Sequence, residues 1–272
     1  MTHHNHPVLS RNQIDAIIAT ARMAGDAIMP YWRANTDVTR KTDGSPVTIA
    51  DGISEDIIVN HLQTLTPDTP IIAEELAEAG NAPDVSNINT FWLVDPLDGT
   101  KEFVKGTRDF TVNIGLIHDG NPVFGLVYLP ATGDLYYGGA GLGAFLNNAP
   151  IQVQDYSMSD GLVMVGSASH PDPKKQQRRK EFLKNHKIQK FTTRGSSLKF
   201  CLVADGTAHL YPRFIPTYEW DTAAAHAILL QVGGDIIDFE TKSRLAYGKF
   251  DKNYLNGSLV TGTNTVLKLL MN

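Results

Sequence analysis

Residues 91–100 have the sequence Phe-Trp-Leu-Val-Asp-Pro-Leu-Asp-Gly-Thr, in which an apolar run ends directly in two aspartates. The apolar run is short and is bounded by turn-forming residues, which is typical of a buried strand. Pro96 fixes one backbone φ angle, so a tight turn can bring the carboxylates of Asp95 and Asp98 together. The stretch therefore predicts a core strand whose carboxyl end carries an acidic turn.

Two other acidic positions lie at the ends of predicted elements. Glu74 follows the apolar run 70–73, and Asp221 opens a helix that is otherwise almost entirely apolar. Carboxylates near a core are costly unless a positive charge pairs with them. Hard cations such as Mg²⁺ prefer oxygen ligands, and the Leu97 carbonyl together with the permissive backbone of Gly99 suits such a ligand. The pattern favours a cation site over the alternative, a surface turn with helix caps.

The remaining patterns indicate a layered protein with helices and sheets. A capping box at Ser10 and Gln13 starts a helix that is expected to reach about residue 31, and a second helix is expected over 49–65. Residues 110–153 alternate strand-like runs with Gly and Asn turns, which predicts a β-meander. Further strands are expected at 162–165, 188–193, 208–211 and 236–239, and helices at 173–186, 196–204 and 220–231. We predict one domain over 1–272, with an α+β half at 1–135 and an α/β half at 136–272.

Composition excludes several classes of protein. The chain has 272 residues, a formal net charge of -5 and one cysteine, Cys201. The acidic balance argues against binding of nucleic acid polymers, and a single cysteine excludes a disulfide framework and a Cys-based zinc site. No apolar run approaches a membrane span, and the first residues do not resemble a signal peptide, so a cytoplasmic location is expected. The basic run 174–180 is interpreted as a solvated helix face, with peripheral contact to the cytoplasmic face of the inner membrane as the alternative.

Four ordered blocks of the sequence resemble the inositol monophosphatase superfamily. They are Pro46-Val-Thr-Ile-Ala-Asp51, Ala73-Glu-Glu75, Trp92-Leu-Val-Asp-Pro-Leu-Asp-Gly-Thr100, and Glu219-Trp-Asp-Thr-Ala-Ala-Ala-His226 followed by Gly233-Gly234. Two further stretches, Asp98-Gly-Thr-Lys-Glu-Phe103 and Gly195-Ser-Ser-Leu-Lys-Phe-Cys-Leu-Val-Ala204, resemble the bacterial CysQ-type 3'(2'),5'-bisphosphate nucleotidases within it. The resemblance covers nearly the whole chain.

This resemblance implies a fold and an activity. The fold is a layered α-β-α-β-α sandwich of the inositol monophosphatase and sugar phosphatase type. The activity is Mg²⁺-dependent removal of the 3'-phosphate of 3'-phosphoadenosine 5'-phosphate, a small phosphorylated nucleotide, to give AMP in sulfur assimilation. Two or three Mg²⁺ ions per site, sensitivity to lithium and a monomeric or dimeric state are expected with it.

The resemblance also implies roles for particular residues. The metal ligands would be Glu74, Asp95, the Leu97 carbonyl, Asp98 and Asp221. Thr100 would orient the attacking water, with Asp51 accepting from its hydroxyl, and Glu74 would be the third catalytic residue. The substrate would contact the metal-site residues Glu74, Leu97, Asp98 and Asp221, the turn residues Gly99 and Thr100, and the nucleotide-side residues His170, Ser196, Lys199 and Arg213.

Two alternatives remain open at this point. An inositol monophosphatase or a sugar-phosphate phosphatase would use the same metal site on the same scaffold, since a fold does not determine specificity. Lys101 and the set Ser196, Lys199 and Arg213 distinguish the nucleotidase from both. A non-catalytic metal or nucleotide sensor is the alternative from another class, and the complete set of carboxylates disfavours it.

Overall fold

The computed structural model describes residues 9–33, 39–40, 46–152, 161–167, 173–184 and 187–271. Its helices are α1 (Arg11–Ile28), α2 (Ile49–Leu65), α3 (Glu74–Glu78), α4 (Thr100–Val104), α5 (Pro173–Leu183), α6 (Leu198–Ala204), α7 (Ala223–Gln231) and α8 (Asn264–Met271). Its strands are β1 (Thr39–Arg40), β2 (Pro46–Val47), β3 (Ile71–Ala73), β4 (Thr90–Asp98), β5 (Thr111–His118), β6 (Asn121–Leu129), β7 (Asp134–Gly139), β8 (Gly143–Leu146), β9 (Ala149–Pro150), β10 (Leu162–Ser167), β11 (Ile188–Arg194), β12 (Leu210–Arg213), β13 (Thr217–Tyr218), β14 (Gly234–Asp238), β15 (Leu255–Asn256) and β16 (Leu259–Thr263). Short 3₁₀ turns lie at Met29–Tyr31 and Phe250–Lys252.

Two large sheets organise these strands. The first has seven strands in the order β3-β4-β5-β6-β7-β8-β9, and it is antiparallel except for the parallel pair β3 and β4. The second has five strands in the order β11-β10-β12-β16-β14, with parallel pairing on one side and antiparallel pairing on the other. The predicted meander and the predicted mixed second half are therefore confirmed.

Helices cover and separate the two sheets. Helices α1 and α2 pack on one face of the seven-stranded sheet, where Ile17, Ile58 and Trp92 are fully buried. Helices α6 and α7 lie between the two sheets, and α8 packs against β14 and β16 of the five-stranded sheet. The order of layers is α-β-α-β-α, as expected from the resemblance.

Helix α7 approaches the first sheet unusually closely, and glycines make this possible. Gly115 of β5 and Gly125 of β6 pair with each other across the sheet. A Cβ atom on Gly125 would lie 1.9 Å from the carbonyl oxygen of Ala224, and one on Gly115 would lie 3.0 Å from Ala223. The small residues on both sides therefore let the start of α7, just after Asp221, lie against the strands that follow β4.

The chain changes from one sheet to the other between Pro150 and Leu162, later than the expected division at 135/136. The Gly-rich stretch 138–143 forms hairpin turns within the first sheet, because β8 pairs with β7 and continues the meander. Whether the two halves count as one domain stays a prediction.

Two interior side chains, His226 and Cys201, are enclosed by the protein core. His226 is fully buried and contacts the Tyr247 hydroxyl and the Asp235 carboxylate, each at 2.9 Å. Burial lowers the pKa of His226, so the neutral ring is favoured in the folded protein. Cys201 is buried in the layer between the sheets and has no disulfide partner.

Candidate active site

The acidic turn after β4 has the shape that its sequence predicts. The pairing of β4 with β5 is irregular between Asp95 and Asp98, where β4 has one residue more than β5 and bulges out of the ladder. Asp95 is 1% exposed, and its Oδ1 accepts the backbone N–H of Leu97 at 3.0 Å. This bond folds the turn back on itself, so that both aspartates lie at the same end of the strand.

Gly99 ends the turn in a conformation that other residues rarely adopt. Its φ is 91°, in the left-handed region, and it directly precedes α4. A Cβ atom there would also lie 3.0 Å from the carbonyl oxygen of Asp109. Glycine is therefore required at this position by conformation as well as by space.

Asp221 reaches the same place from the other half of the chain. It lies just before α7, and its Oδ2 accepts the backbone N–H of Tyr218 at 2.9 Å. Single ligand atoms of Asp95, Asp98 and Asp221 all lie within 4.8 Å of one another. The structure thus brings together three carboxylates, although Asp221 lies more than a hundred residues after Asp95 and Asp98 in the sequence.

The charge on this cluster indicates what it can bind. Burial raises the pKa of Asp95 well above its ordinary value, and neighbouring acidic side chains raise it further, Glu74 most strongly. Burial also raises the pKa of Asp221, with the charge of Asp98 as the next cause. Carboxylates that repel each other in a buried site are stabilised by a cation, and an all-oxygen donor set suits a hard divalent one. The residues present therefore fit a divalent metal ion.

Glu74 is placed beside this cluster by the parallel pairing of β3 with β4. Ala73 pairs with Val94, so the residues that follow each strand meet at one edge of the sheet. Glu74 lines the same pocket as Asp98 and Asp221. Glu74 is distant from Asp98 and Asp221 in the sequence, and the pairing of β3 with β4 brings it close to them.

Thr100, the first residue of α4, forms a hydrogen-bonded pair with Asp51 of α2. The Thr100 hydroxyl lies 3.2 Å from Asp51 Oδ1 and 3.2 Å from the Leu97 carbonyl oxygen. Asp51 is 2% exposed, and its other oxygen accepts the Thr48 backbone N–H at 2.7 Å in the capping box of α2. Asp51 thus caps a helix with one oxygen and faces Thr100 with the other.

Two cationic side chains line the same pocket as the acidic cluster. The pocket lining includes Ser196, Lys199 and Arg213. The Lys199 ammonium donates to the Ser196 carbonyl oxygen at 2.5 Å and is 2% exposed, and the Arg213 guanidinium donates to the Tyr211 hydroxyl at 3.1 Å. Of the four residues expected on the nucleotide side, the structure brings these three together, and His170 lies outside the described residues.

Sequence reasoning missed the buried polar face of α2. Ser54 is fully buried and donates to the Pro96 carbonyl oxygen at 2.7 Å. Glu55 is 5% exposed and accepts the backbone N–H groups of Glu75 and Leu76 at 2.8 and 3.0 Å. Ser54 and Glu55 therefore bind α2 to the acidic turn and to the start of α3, and Asp51 of the same helix contacts Thr100. The sequence did contain a signal for this face, because Asp51, Ser54 and Glu55 are polar residues about one turn apart on a helix rich in isoleucine.

The basic run on α5 is partly engaged within the protein. Arg178 forms an ion pair with Glu240, and its guanidinium lies over the rings of Phe214 and Phe239. Among the helices of the described segments, none combines the length and the apolar character that crossing a bilayer requires.

The sequence is similar to known proteins over nearly its full length. The model of the inositol monophosphatase family matches residues 10–270. The 3'(2'),5'-bisphosphate nucleotidase CysQ of Escherichia coli strain K12 is 42% identical over 84% of this chain and 92% of its own length. The protein of the same name from Buchnera aphidicola is 38% identical over 87% of this chain and 91% of its own length.

Solved structures agree with this fold. CysQ from Bacteroides thetaiotaomicron, described as a bacterial member of the inositol monophosphatase family, superposes with a TM-score of 0.78 at 33% identity. That match covers 93% of this chain and 97% of the other. An inositol monophosphatase from Anabaena superposes with a TM-score of 0.77 at 26% identity and covers 96% of this chain and 94% of the other.

Proposed function

The chain belongs to the inositol monophosphatase family, and from this premise we propose that it removes the 3'-phosphate of 3'-phosphoadenosine 5'-phosphate. It is a metal-dependent phosphoric monoester hydrolase, and the products are AMP and inorganic phosphate. Its similarity to CysQ nucleotidases at 42% identity supports this substrate over the other phosphate esters used in the family.

One observation carries the proposal: the pocket has an acidic wall and a basic wall. Glu74, Asp98 and Asp221, called here the acidic wall, line the same pocket as Lys199 and Arg213, called here the basic wall. A substrate with two phosphates needs both walls, one to bind the metal-coordinated phosphate and one to pair with the second phosphate. A monophosphate would leave Lys199 and Arg213 without a second phosphate to pair with, so these two cations favour a bisphosphate.

The acidic wall would hold the metal. Asp95 is buried beside Asp98 and Asp221, and we propose that Mg²⁺ ions, two or three per site, bind its carboxylate together with Asp98, Asp221, Glu74 and the Leu97 carbonyl. When bound, such ions supply Lewis-acid chemistry that activates a water and offsets charge on the leaving oxygen. The protein contributes a fixed arrangement of oxygen ligands, since each carboxylate is already held by a backbone or side-chain contact.

Thr100 and Asp51 would orient the attacking water. When Thr100 donates its hydroxyl proton to Asp51 Oδ1, the lone pairs of Thr100 Oγ1 remain free to accept a proton from water. The direction follows from the chemistry of the carboxylate, which accepts from Thr100 with Oδ1 and from Thr48 with Oδ2. The pair thus fixes the orientation of a water beside the carboxylates.

The basic wall would hold the nucleotide. Lys199 and Arg213 are proposed to pair with the phosphate that is not cleaved, with Ser196 and His170 completing the contacts. The backbone at Gly99 and Thr100 would lie against the phosphate that is cleaved.

Finer features of the function follow from the family resemblance. We propose a role in sulfur assimilation, inhibition by lithium and a cytoplasmic location. A monomer and a dimer are both compatible with this account.

Loss of either cation of the basic wall is expected to affect the nucleotide selectively. Lys199→Ala and Arg213→Ala should each lower kcat/KM for 3'-phosphoadenosine 5'-phosphate by roughly 10- to 100-fold, because a charge-assisted hydrogen bond contributes about 1.5–3 kcal/mol. Activity on inositol 1-phosphate, which lacks the second phosphate, should change by less than about threefold. Steady-state kinetics on both substrates measure the difference.

The matched control is Lys190→Ala, which removes an exposed cation from β11 outside the pocket. It should leave both activities unchanged. Equal losses on both substrates in the Lys199 or Arg213 variants would contradict the proposed contact with the second phosphate.

Product analysis tests the proposed reaction itself. The protein is incubated with 3'-phosphoadenosine 5'-phosphate and Mg²⁺, and the nucleotide product is identified by chromatography against AMP and adenosine 3'-phosphate standards. We expect AMP with one equivalent of phosphate, and no turnover after the metal is removed with a chelator. Adenosine 3'-phosphate as the product, or undiminished turnover in the chelator, would contradict the proposal.

A further inference from the structure

Ser197 links the two halves of the acidic cluster. It lies 1% exposed directly before α6. Its Oγ is 2.5 Å from Asp98 Oδ2, at the end of β4, and 2.7 Å from the backbone carbonyl oxygen of Asp221, before α7. One hydroxyl group therefore contacts two of the proposed metal ligands, which come from distant parts of the sequence.

The usual role of a serine at this position is not the one observed. A serine before the first turn of a helix normally accepts a backbone N–H with its side chain. Ser197 occupies the N-cap of α6 but makes no such bond, and Ser196 Oγ accepts the Leu198 N–H instead, at 3.4 Å. The hydroxyl of Ser197 is turned away from the helix and toward the carboxylates, so helix capping does not explain it.

Asn113 fixes the direction in which Ser197 donates. Asn113 is fully buried on β5, opposite Asp95 in the ladder, and its side-chain nitrogen lies 3.0 Å from Ser197 Oγ. The Asp221 carbonyl oxygen can only accept, so the single Ser197 proton is directed toward it and Asp98 Oδ2, and Ser197 Oγ accepts from Asn113. The amide therefore presents its nitrogen to Ser197.

The orientation of the Asn113 amide lowers the stability of the fold, which indicates that it serves the site. Among the described residues, Asn113 Oδ1 has no hydrogen-bond partner although it is buried. An unsatisfied buried acceptor typically costs about 1–3 kcal/mol, so Asn113 is a poor choice for stability alone. Because the Asn113 side-chain nitrogen donates to Ser197 Oγ, the Ser197 proton stays available to Asp98 and to the Asp221 carbonyl oxygen.

We propose that Ser197, oriented by Asn113, is a positioning residue that fixes the separation of Asp98 and Asp221 and thereby sets the affinity of the metal ion that they share. The inference rests on the proposed metal site. Neither residue is assigned contact with substrate or metal. Their effect passes through the orientation of the Asp98 carboxylate and of the Asp221 backbone.

The test measures metal binding directly. Apo protein is titrated with MgCl₂ in a calorimeter, for the wild type, Ser197→Ala, Asn113→Ala and the double variant. Hydrogen bonds to metal-ligating carboxylates typically contribute about 10- to 100-fold to metal affinity. We expect Ser197→Ala to weaken the lower-affinity binding event by that factor, Asn113→Ala to weaken it less, and the double variant to match Ser197→Ala.

Thr20→Ala is the matched control, because Thr20 is another buried hydroxyl and bonds only within α1, to the Ala16 carbonyl oxygen at 2.9 Å. It should bind Mg²⁺ like the wild type. Thermal unfolding in chelator confirms that each variant folds, and the increase in Tm on adding Mg²⁺ gives a second measure of affinity.

Two results would overturn different parts of the account. Unchanged Mg²⁺ affinity in a folded Ser197→Ala variant would refute the positioning role, as would additive losses in the double variant. Absence of Mg²⁺ binding by the wild type would refute the proposed metal site itself.

Discussion

Replacement of Asp98 or Asp221 by asparagine is expected to abolish turnover while leaving the fold intact. Each variant exchanges a carboxylate for a neutral amide of the same shape, so packing is kept and the charge that attracts a hard cation is lost. Losing one metal of a cooperating pair should cost about 4 kcal/mol or more of transition-state stabilisation, or on the order of 10³-fold in kcat. Phosphate release measures the loss, and circular dichroism checks the fold.

Asp15→Asn provides the comparison for these variants. Asp15 is an exposed residue of α1 that pairs with Arg11, so the same chemical change there should leave turnover unaltered. Because Asp98 and Asp221 repel other carboxylates in the absence of metal, both site variants should be at least as stable as the wild type in chelator. Activity within tenfold of the wild type in either variant would contradict the proposed ligand set.

Removal of the Thr100 hydroxyl is expected to have the second largest effect. Thr100→Val keeps the shape of the side chain and deletes the group that would orient water. Positioned proton donors and acceptors typically contribute about 10²- to 10⁴-fold, so kcat should fall within this range. Mg²⁺ affinity, measured by calorimetry, should change little, because Thr100 is not among the proposed ligands.

Thr100→Ser restores the hydroxyl and should recover most of the rate. Asp51→Asn should lower kcat as Thr100→Val does, with some loss of stability because Asp51 also caps α2. If Thr100→Val retains full kcat, or if it loses Mg²⁺ binding to the same degree as activity, the water-orienting role is refuted.

The acidic turn could be predicted because its signal is local. The sequence from Phe91 to Asp98 contains both the apolar strand that buries one aspartate and the proline that shapes the turn. Asp221 was also recognisable, because a carboxylate at the start of an apolar helix has few explanations. What brings Asp221 to Asp98 is not local: it depends on two paired glycines, Gly115 and Gly125, that admit α7 closely.

Elements near the end of the chain were missed for a different reason. Strand β16 (Leu259–Thr263) is short and contains a glycine, so its pattern is weak, yet it lies between β12 and β14 in the sheet. Helix α8 follows it directly, with no loop between the two elements. Both are stabilised by burial against the five-stranded sheet, which a single sequence does not display.

The supporting residues of the site were the hardest to anticipate. Asn113 and Ser197 are ordinary polar residues whose spacing shows no motif, and Ser54 and Glu55 have only the weak signal of polar residues one turn apart on α2. Their roles depend on which segment each one contacts, such as Ser54 with Pro96 across the interface of α2 and β4. Helix α6 shows the same limit, because it begins at Leu198 and not at the expected residue 196, which frees Ser197 to contact Asp98.

Substrate preference tests the central claim most directly. kcat/KM is measured for 3'-phosphoadenosine 5'-phosphate, inositol 1-phosphate and fructose 1,6-bisphosphate under the same Mg²⁺ concentration. The acidic and basic walls together predict that the nucleotide is preferred over inositol 1-phosphate by about 10²-fold or more, since two charge-assisted contacts are specific to it. Fructose 1,6-bisphosphate also carries two phosphates, and its poor turnover is expected from the similarity to CysQ nucleotidases and not from the two walls. A kcat/KM for inositol 1-phosphate or fructose 1,6-bisphosphate that equals or exceeds the value for the nucleotide would contradict the account.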